Sequence, residues 1–273
     1  MKTTFIKIGN RKSEIGNFKA FTLIELLVVI SIIAILAGLL LPALAAAKKQ
    51  AQKTQVKLEI SQLVTAIQNY DSAYSRFPVS TNAQIDASKV GGDFTYGTIN
   101  TGPQTTFALQ NPAPPYSYQA NNSEVIAILM DITSTTVTSV NMNHQKNPQQ
   151  TLFLNAKMSG STDPGVGRDL VYRDLWGNPY VISMDLNYDE QCSDAFYCLH
   201  NVSYQNPQPV PAAPQQGYNG LFNPTDLTGA SDNFLYHGKV MVWSAGPDGK
   251  IDPLSPASGV NAGVNKDNIL SWQ

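Results

Sequence analysis

Charge is the scarcest commodity in this sequence. Asp, Glu, Lys and Arg make up 14% of its 273 residues, where roughly a quarter is usual. The net charge is −2, and no basic domain stands out, so nucleic acid has no electrostatic claim as a main partner. Cysteine occurs only at Cys192 and Cys198, in a C-x5-C arrangement. Histidine occurs at His144, His200 and His237, without metal-ligand spacing. Two thiols and His200 do not complete a zinc site. There is no G-x-S-x-G, no phosphate-loop sequence and no H-E-x-x-H, and Gly165-Val166-Gly167 lacks the third glycine of a dinucleotide turn. The expectation is a protein that is not an enzyme. The aromatics of the Pro-Pro-Tyr-Ser-Tyr-Gln stretch (114–119) read as packing or partner contacts, not as a cofactor cradle.

What is present is unevenly distributed. Asn, Gln, Ser, Thr and Pro fill the space that charge leaves, as on a loop-rich exported surface. Residues 1–20 hold Lys2, Lys7, Arg11, Lys12 and Lys19 against Glu14 alone. An uncharged run of 22 residues follows from Leu26 to Ala47. As a helix it is about 33 Å long at ~1.5 Å per residue, enough for a hydrocarbon core of roughly 30 Å. Basic residues ahead of it place the N-terminus inside and the remainder outside. A secretory signal peptide has an apolar region of about 7–15 residues, which this run exceeds. A plain signal anchor has no use for Glu25 at the mouth of the run, where a carboxylate costs about 2.5–3.5 kcal/mol if carried to the membrane centre.

Lys19-Ala20-Phe21-Thr22-Leu23-Ile24-Glu25 resembles the type III signal of type IV prepilins. The resemblance implies cleavage by a prepilin peptidase between Ala20 and Phe21, followed by N-methylation of Phe21. Ala20 stands where that family usually has Gly. Glu25 becomes the fifth mature residue, which in the family is Glu. Its implied role is assembly: the amine of one Phe21 meets the Glu25 of a neighbouring copy, since either charge alone would be stranded in an apolar filament core. The implied partners are other copies and other pilin-like subunits, the peptidase, an inner-membrane assembly platform and its ATPase. The implied location is the bacterial inner membrane, single-pass, with the C-terminal domain in the periplasm, or an extracellular filament.

Beyond the run, Lys48, Lys49 and Lys53 mark an interface. Val56, Ile60, Leu63, Ile67, Tyr70 and Tyr74 then recur at spacings of three and four, one apolar stripe on a helix. Pro78 supplies a stop. Pro42 lies inside the expected helix, which ends at Arg76, and predicts a kink or local melting. Residues 78–168 are rich in Thr, Asn, Gln and Pro, with Ser123–Asp131 a compact apolar segment readable as helix or strand. Residues 169–174, 179–186 and 238–245 read as strands, with Tyr180, Ile182, Met184 and Leu186 alternating on one face. The proline-rich stretch 208–214 reads as a stiff linker.

Leu175-Trp176-Gly177-Asn178-Pro179-Tyr180 resembles the D-x-W-G-x-P-Y segment of major pseudopilins of type II secretion. Ser244 to Gly249 resembles their S-x-G-x-D-G strand end, and Lys266 to Trp272 their closing segment. This resemblance implies one calcium ion, with Asp248, Asp267 and Asn268 as candidate ligands and Asp252 an additional local carboxylate. Calcium accepts six to eight oxygens in a flexible loop. An EF-hand frame around residues 248–252 puts serines at both defining acidic positions, Ser244 and Ser255, and is rejected. Export also makes Cys192–Cys198 a candidate disulfide.

The expected fold is α+β: a long N-terminal transmembrane-plus-amphipathic helix packed on a C-terminal antiparallel sheet, type IV pilin-like. The expected organisation is a leader peptide (1–20), a transmembrane or filament-core half-helix (21–47), an amphipathic half (48–77), a variable loop-rich insert (78–168), and a C-terminal β-sheet region with a calcium loop (169–273). The expected function is a structural subunit of a type II secretion pseudopilus or type IV pilus-like filament. The alternatives are an adhesion, motility or DNA-uptake pilin, or a membrane-anchored binding protein that never polymerises.

Overall fold

A computed structural model describes residues 21–90, 92–100, 106–108, 120–133, 139–160, 163–206, 215–224, 231–259 and 262–273. Ala20, the 114–119 aromatic stretch and the 208–214 linker lie outside the described residues. The chain divides into two units, one reaching Lys49 and the other Gln50–Gln273. Helix α1 (Leu23–Tyr74) contributes to both.

In the first unit every described residue is exposed, the large apolar side chains running from 47% at Val29 to 81% at Leu23. The helix passes through Pro42 without a break, so the local melting expected there is not seen. A proline removes one backbone donor, and the helix absorbs that single loss. This half of α1 is long and apolar enough to cross a membrane.

The second unit carries the core. From Val56 to Tyr70 the sequence stripe is buried, with Val56, Ile60, Leu63, Ile67 and Tyr70 at 1% exposure or less. The helix ends at Tyr74, ahead of Pro78, and Ser75 takes a left-handed conformation. Helix α2 (Thr81–Val90) and strand β1 (Asp93–Tyr96) follow, then helix α3 (Ser123–Leu129). Strands β2 (Val181–Asp185), β3 (Val240–Ser244) and β4 (Ile269–Leu270) complete a four-stranded antiparallel sheet in the order β1-β2-β3-β4. Four short two-stranded ladders of two or three residue pairs accompany it among the described residues.

Alternation along the strands sends side chains to two cores. Tyr180, Ile182, Met184, Val240 and Val242 pack with the α1 stripe and with Phe94 and Tyr96. Val181, Met241, Trp243 and Leu270 point the other way, into a second core with Phe196, Tyr197, Val202, Leu221 and Phe234. The sheet is therefore covered on both faces, which is why β2 and β3 are buried at every position. Asp194 pins the second layer down. Its buried carboxylate accepts from the Ser183 hydroxyl (2.6 Å), the Trp243 indole N–H (2.9 Å) and two backbone amides. On the helix side, the Tyr180 hydroxyl donates to Glu59 at 2.6 Å.

One expectation needs adjusting. The 78–168 segment is more than an inserted loop, because it contributes an edge strand of the main sheet (β1) and α3, whose Val125 to Leu129 are buried. The closing segment also joins the sheet as β4. Because Leu63 is fully buried between helix and sheet, Leu63→Ala is expected to cost about 2–5 kcal/mol. Denaturant unfolding of the two chains checks this, and a loss below about 1 kcal/mol would place the helix off the sheet.

Candidate functional site

Two places carry the residues singled out by sequence. The first is the start of α1. Thr22 precedes the first helical residue, and Glu25 stands three positions on. The Glu25 carboxylate accepts from the Thr22 backbone N–H (2.9 Å) and hydroxyl (2.7 Å), while the Thr22 hydroxyl accepts from the Glu25 N–H (3.3 Å). This reciprocal arrangement satisfies amide groups that open helix ends leave unpaired. The T-x-x-E spacing was readable in the sequence, and Thr22 is a capping residue whose part pattern reading passed over. Phe21 is 77% exposed. Inside the run the Ser31 hydroxyl donates to the Leu27 carbonyl (2.7 Å), so no polar group in that turn needs water. An apolar helix exposed on all sides demands lipid or other helices around it.

The second place is where the chain's closing segment meets the end of β3. Asp174, fully buried, is its hub. One of its oxygens accepts from the backbone amides of Trp176 (2.8 Å) and Asn178 (2.9 Å). The other accepts from the Ser244 hydroxyl (2.5 Å) and the Asn178 side-chain amide (3.3 Å). That same Asn178 amide donates to the Gly246 carbonyl at 2.8 Å. Gly246 and Gly249 are both left-handed, and a Cβ on Gly246 would overlap the Asp267 carbonyl. The strand end is thus clamped between Asn178 and the closing segment.

The candidate cation ligands sit on this clamp. Asp248 accepts from the Lys250 amide at 3.0 Å. Partial burial pushes its carboxyl up, the Lys250 amide opposes that, and the nearby Asp267 charge adds to the rise. Lys250 and Lys266 charges pull it down. Asn268 is buried, its amide donating to the Tyr197 hydroxyl (2.9 Å), and its side-chain oxygen is buried without a partner. Asp252 is committed elsewhere, accepting from Ser255 (2.6 Å) and Leu254 (2.9 Å) in its own turn. Among the described residues no group of three or more His, Cys, Asp or Glu is placed to hold a metal. A cation here would draw on two carboxylates, an orphaned amide oxygen and backbone carbonyls, which is a donor set of the kind calcium accepts.

Residues 15–41 match the family model described as the prokaryotic N-terminal methylation motif. A stretch of 48 residues, 18% of this chain, is 56% identical to the type IV wide pilus major component PilA4 of Thermus thermophilus. The chain is type IV pilin-like. The match spans 37% of that relative's length, and the two-sided α+β domain of this pilin-like chain lies mostly beyond it. No solved structure matches the chain. The motif implies processing of the N-terminus, and the exposed apolar half of α1 supports membrane anchoring.

The two cysteines of the pilin-like chain are not joined. Cys192 pairs with Tyr236 in a short ladder and turns its side chain into the second core. Cys198 lies in the turn that follows, its thiol 3.6 Å from the Ala195 carbonyl. Burial raises both thiols, Cys198 to about 12, so both stay protonated and slow to react. The histidines are structural. His144 sits 2.8 Å from Asp131, His237 stacks on Phe222, and His200 lies against Tyr204.

Proposed function

We propose that this chain is a structural filament subunit that is cut ahead of Phe21 and polymerised through α1. One observation carries the proposal. The wholly exposed, apolar first half of α1 opens on a carboxylate, Glu25, four residues after the residue that processing would make the new terminus. Among the described residues the recorded partner of that carboxylate is Thr22, which is neutral. The amine of a neighbouring Phe21 would offer it a cation, and would do so only at one axial offset between copies. The role is mechanical, with no catalysis assigned. Other copies, a prepilin peptidase, a membrane platform and an ATPase are the partners. The subunit would wait in the inner membrane with its C-terminal domain in the periplasm.

Within that class we favour a type II secretion pseudopilin. The segments resembling pseudopilin motifs, Leu175–Tyr180 and Ser244–Gly249, are hydrogen-bonded to each other through Asp174 and Asn178. A pilin for adhesion, motility or DNA uptake is the second reading, favoured by the named pilus component among the relatives. Calcium belongs to the same proposal, with Asp248, Asp267 and Asn268 as its side-chain ligands. When bound, the ion would offset the mutual repulsion of the two carboxylates and tie the closing segment to the strand end.

The test is a pair of deletions in the native cell, with and without the gene returned. Loss of an exported enzyme from the medium, with surface filaments intact, is expected. Loss of surface filaments with secretion intact would move the assignment to a pilin. No defect in either, with the chain monomeric in the membrane, would sink the filament reading and leave an anchored binding protein.

A further inference from the structure

We propose that Asp174 and Asn178 are positioning residues for the cation turn, holding Asp248 and Asp267 in register without touching the ion. The inference rests on the calcium reading above. A turn that must bring two carboxylates together works against their repulsion, so something outside the ligand set has to hold it. Asp174 is fully buried, and its four recorded hydrogen bonds come from three residues around the turn: Trp176, Asn178 twice and Ser244. The Ser244 hydroxyl passes the constraint on by accepting from the Gly246 amide at 3.0 Å. Asn178 passes it on by donating to the Gly246 carbonyl at 2.8 Å. The same Asn178 side chain fills the space beside Gly249, where a Cβ would lie 2.5 Å from its oxygen. Of the two glycines that bracket Asp248, the Asn178 amide thus holds Gly246 by a hydrogen bond and packs close to Gly249, and that amide is itself held by one buried carboxylate. On the other side of the turn, Gly246 abuts the Asp267 carbonyl. The closing segment therefore reads the position that Asn178 sets.

Outer partners of this kind typically change metal affinity by about 10–100-fold when removed. The experiment is calorimetric titration of calcium chloride into the full chain in detergent, with magnesium as control, alongside melting in calcium-free buffer. Four chains are compared: wild type, Asp248→Asn, Asn178→Ala and Asn178→Asp. Wild type is expected to bind calcium, and Asp248→Asn to lose most of that affinity. Asn178→Ala is expected to weaken calcium by about 10–100-fold, while its calcium-free melting temperature falls by only a few degrees. Asn178→Asp is the sharper case. It adds a negative charge beside the turn, so an additional ligand would tighten binding, whereas loss of the donor to Gly246 loosens it. Looser binding is expected. Unchanged or tighter binding in both Asn178 variants, with wild type binding calcium, would overturn the positioning role alone. Absence of calcium heat in wild type would remove the calcium reading and this inference together. Failure of both variants to fold would assign Asn178 to the scaffold and also overturn the proposal.

Discussion

Glu25→Ala is expected to leave cleavage before Phe21 intact and to abolish filament assembly. In the proposed role, processing depends on the leader side and Phe21, whereas Glu25 would act only when copies meet. In the single chain its carboxylate is held by Thr22, so its removal opens one reciprocal cap at the helix end and leaves the rest of α1 in place. In a packed bundle of apolar helices the loss is of another order. The amine of each incoming Phe21 is left buried and unpaired, which costs roughly 3–5 kcal/mol per contact. Every added subunit meets that penalty, so the effect repeats along the filament. Sheared-filament yield and the mass of the membrane-bound chain, measured together, check this. Processed protein without filaments is expected. Normal filaments from the processed variant would remove Glu25 from assembly.

Asp93→Asn is expected to raise the melting temperature at pH 8 and to leave it unchanged at pH 4. Asp93 faces Asp185 directly across the β1–β2 pair. One of its oxygens accepts the Ser193 amide at 2.6 Å, and the other is buried without a partner. Burial raises its carboxyl to about 7, the Ser193 amide opposes the rise, and the charges of Asp185 and Asp189 add to it. An unfolded aspartate ionises near pH 4. Between these values the folded chain holds a proton that the unfolded chain has released, so stability falls as pH rises. The contribution is fully present below about pH 4 and lost once pH passes about 7. A shift of about three pH units at ~1.36 kcal/mol each bounds the effect, and 2–4 kcal/mol is a reasonable order. The neutral amide keeps an acceptor for Ser193 and removes the charge. Asp174 and Asp185 are raised by burial too, so wild type should melt higher near pH 5 than at pH 8. A flat profile from pH 5 to 8, or a variant less stable at pH 8, would contradict this reading of the acid pair.

Much of this could be read from the residues, and the reasons differ by element. The α1 stripe was legible because one face of the helix meets one surface, so burial follows the helical period from Val56 to Tyr70. The alternation of Tyr180, Ile182 and Met184 was legible for the same reason, with period two. The second core was not. Where a strand is buried on both faces, as β2 and β3 are, alternation carries no sign of which side faces what. β1 was hidden in a polar segment because an edge strand of four residues leaves almost no pattern. Phe21 and Glu25 were legible as a linear motif. Asp174 was not singled out, since its importance comes from Ser244, 70 positions away. The cysteine pair shows the limit of spacing. C-x5-C allows a small loop, but Cys192 sits on a strand whose side chain enters the core.

The most direct measurement is the intact mass of the membrane-extracted chain, with its N-terminal peptide sequenced. A chain that begins at Phe21 and carries one added methyl group is the expected result, and it establishes the terminus on which the pairing with Glu25 depends. A chain that still begins at Met1, or is cut elsewhere, would contradict the filament subunit at its base.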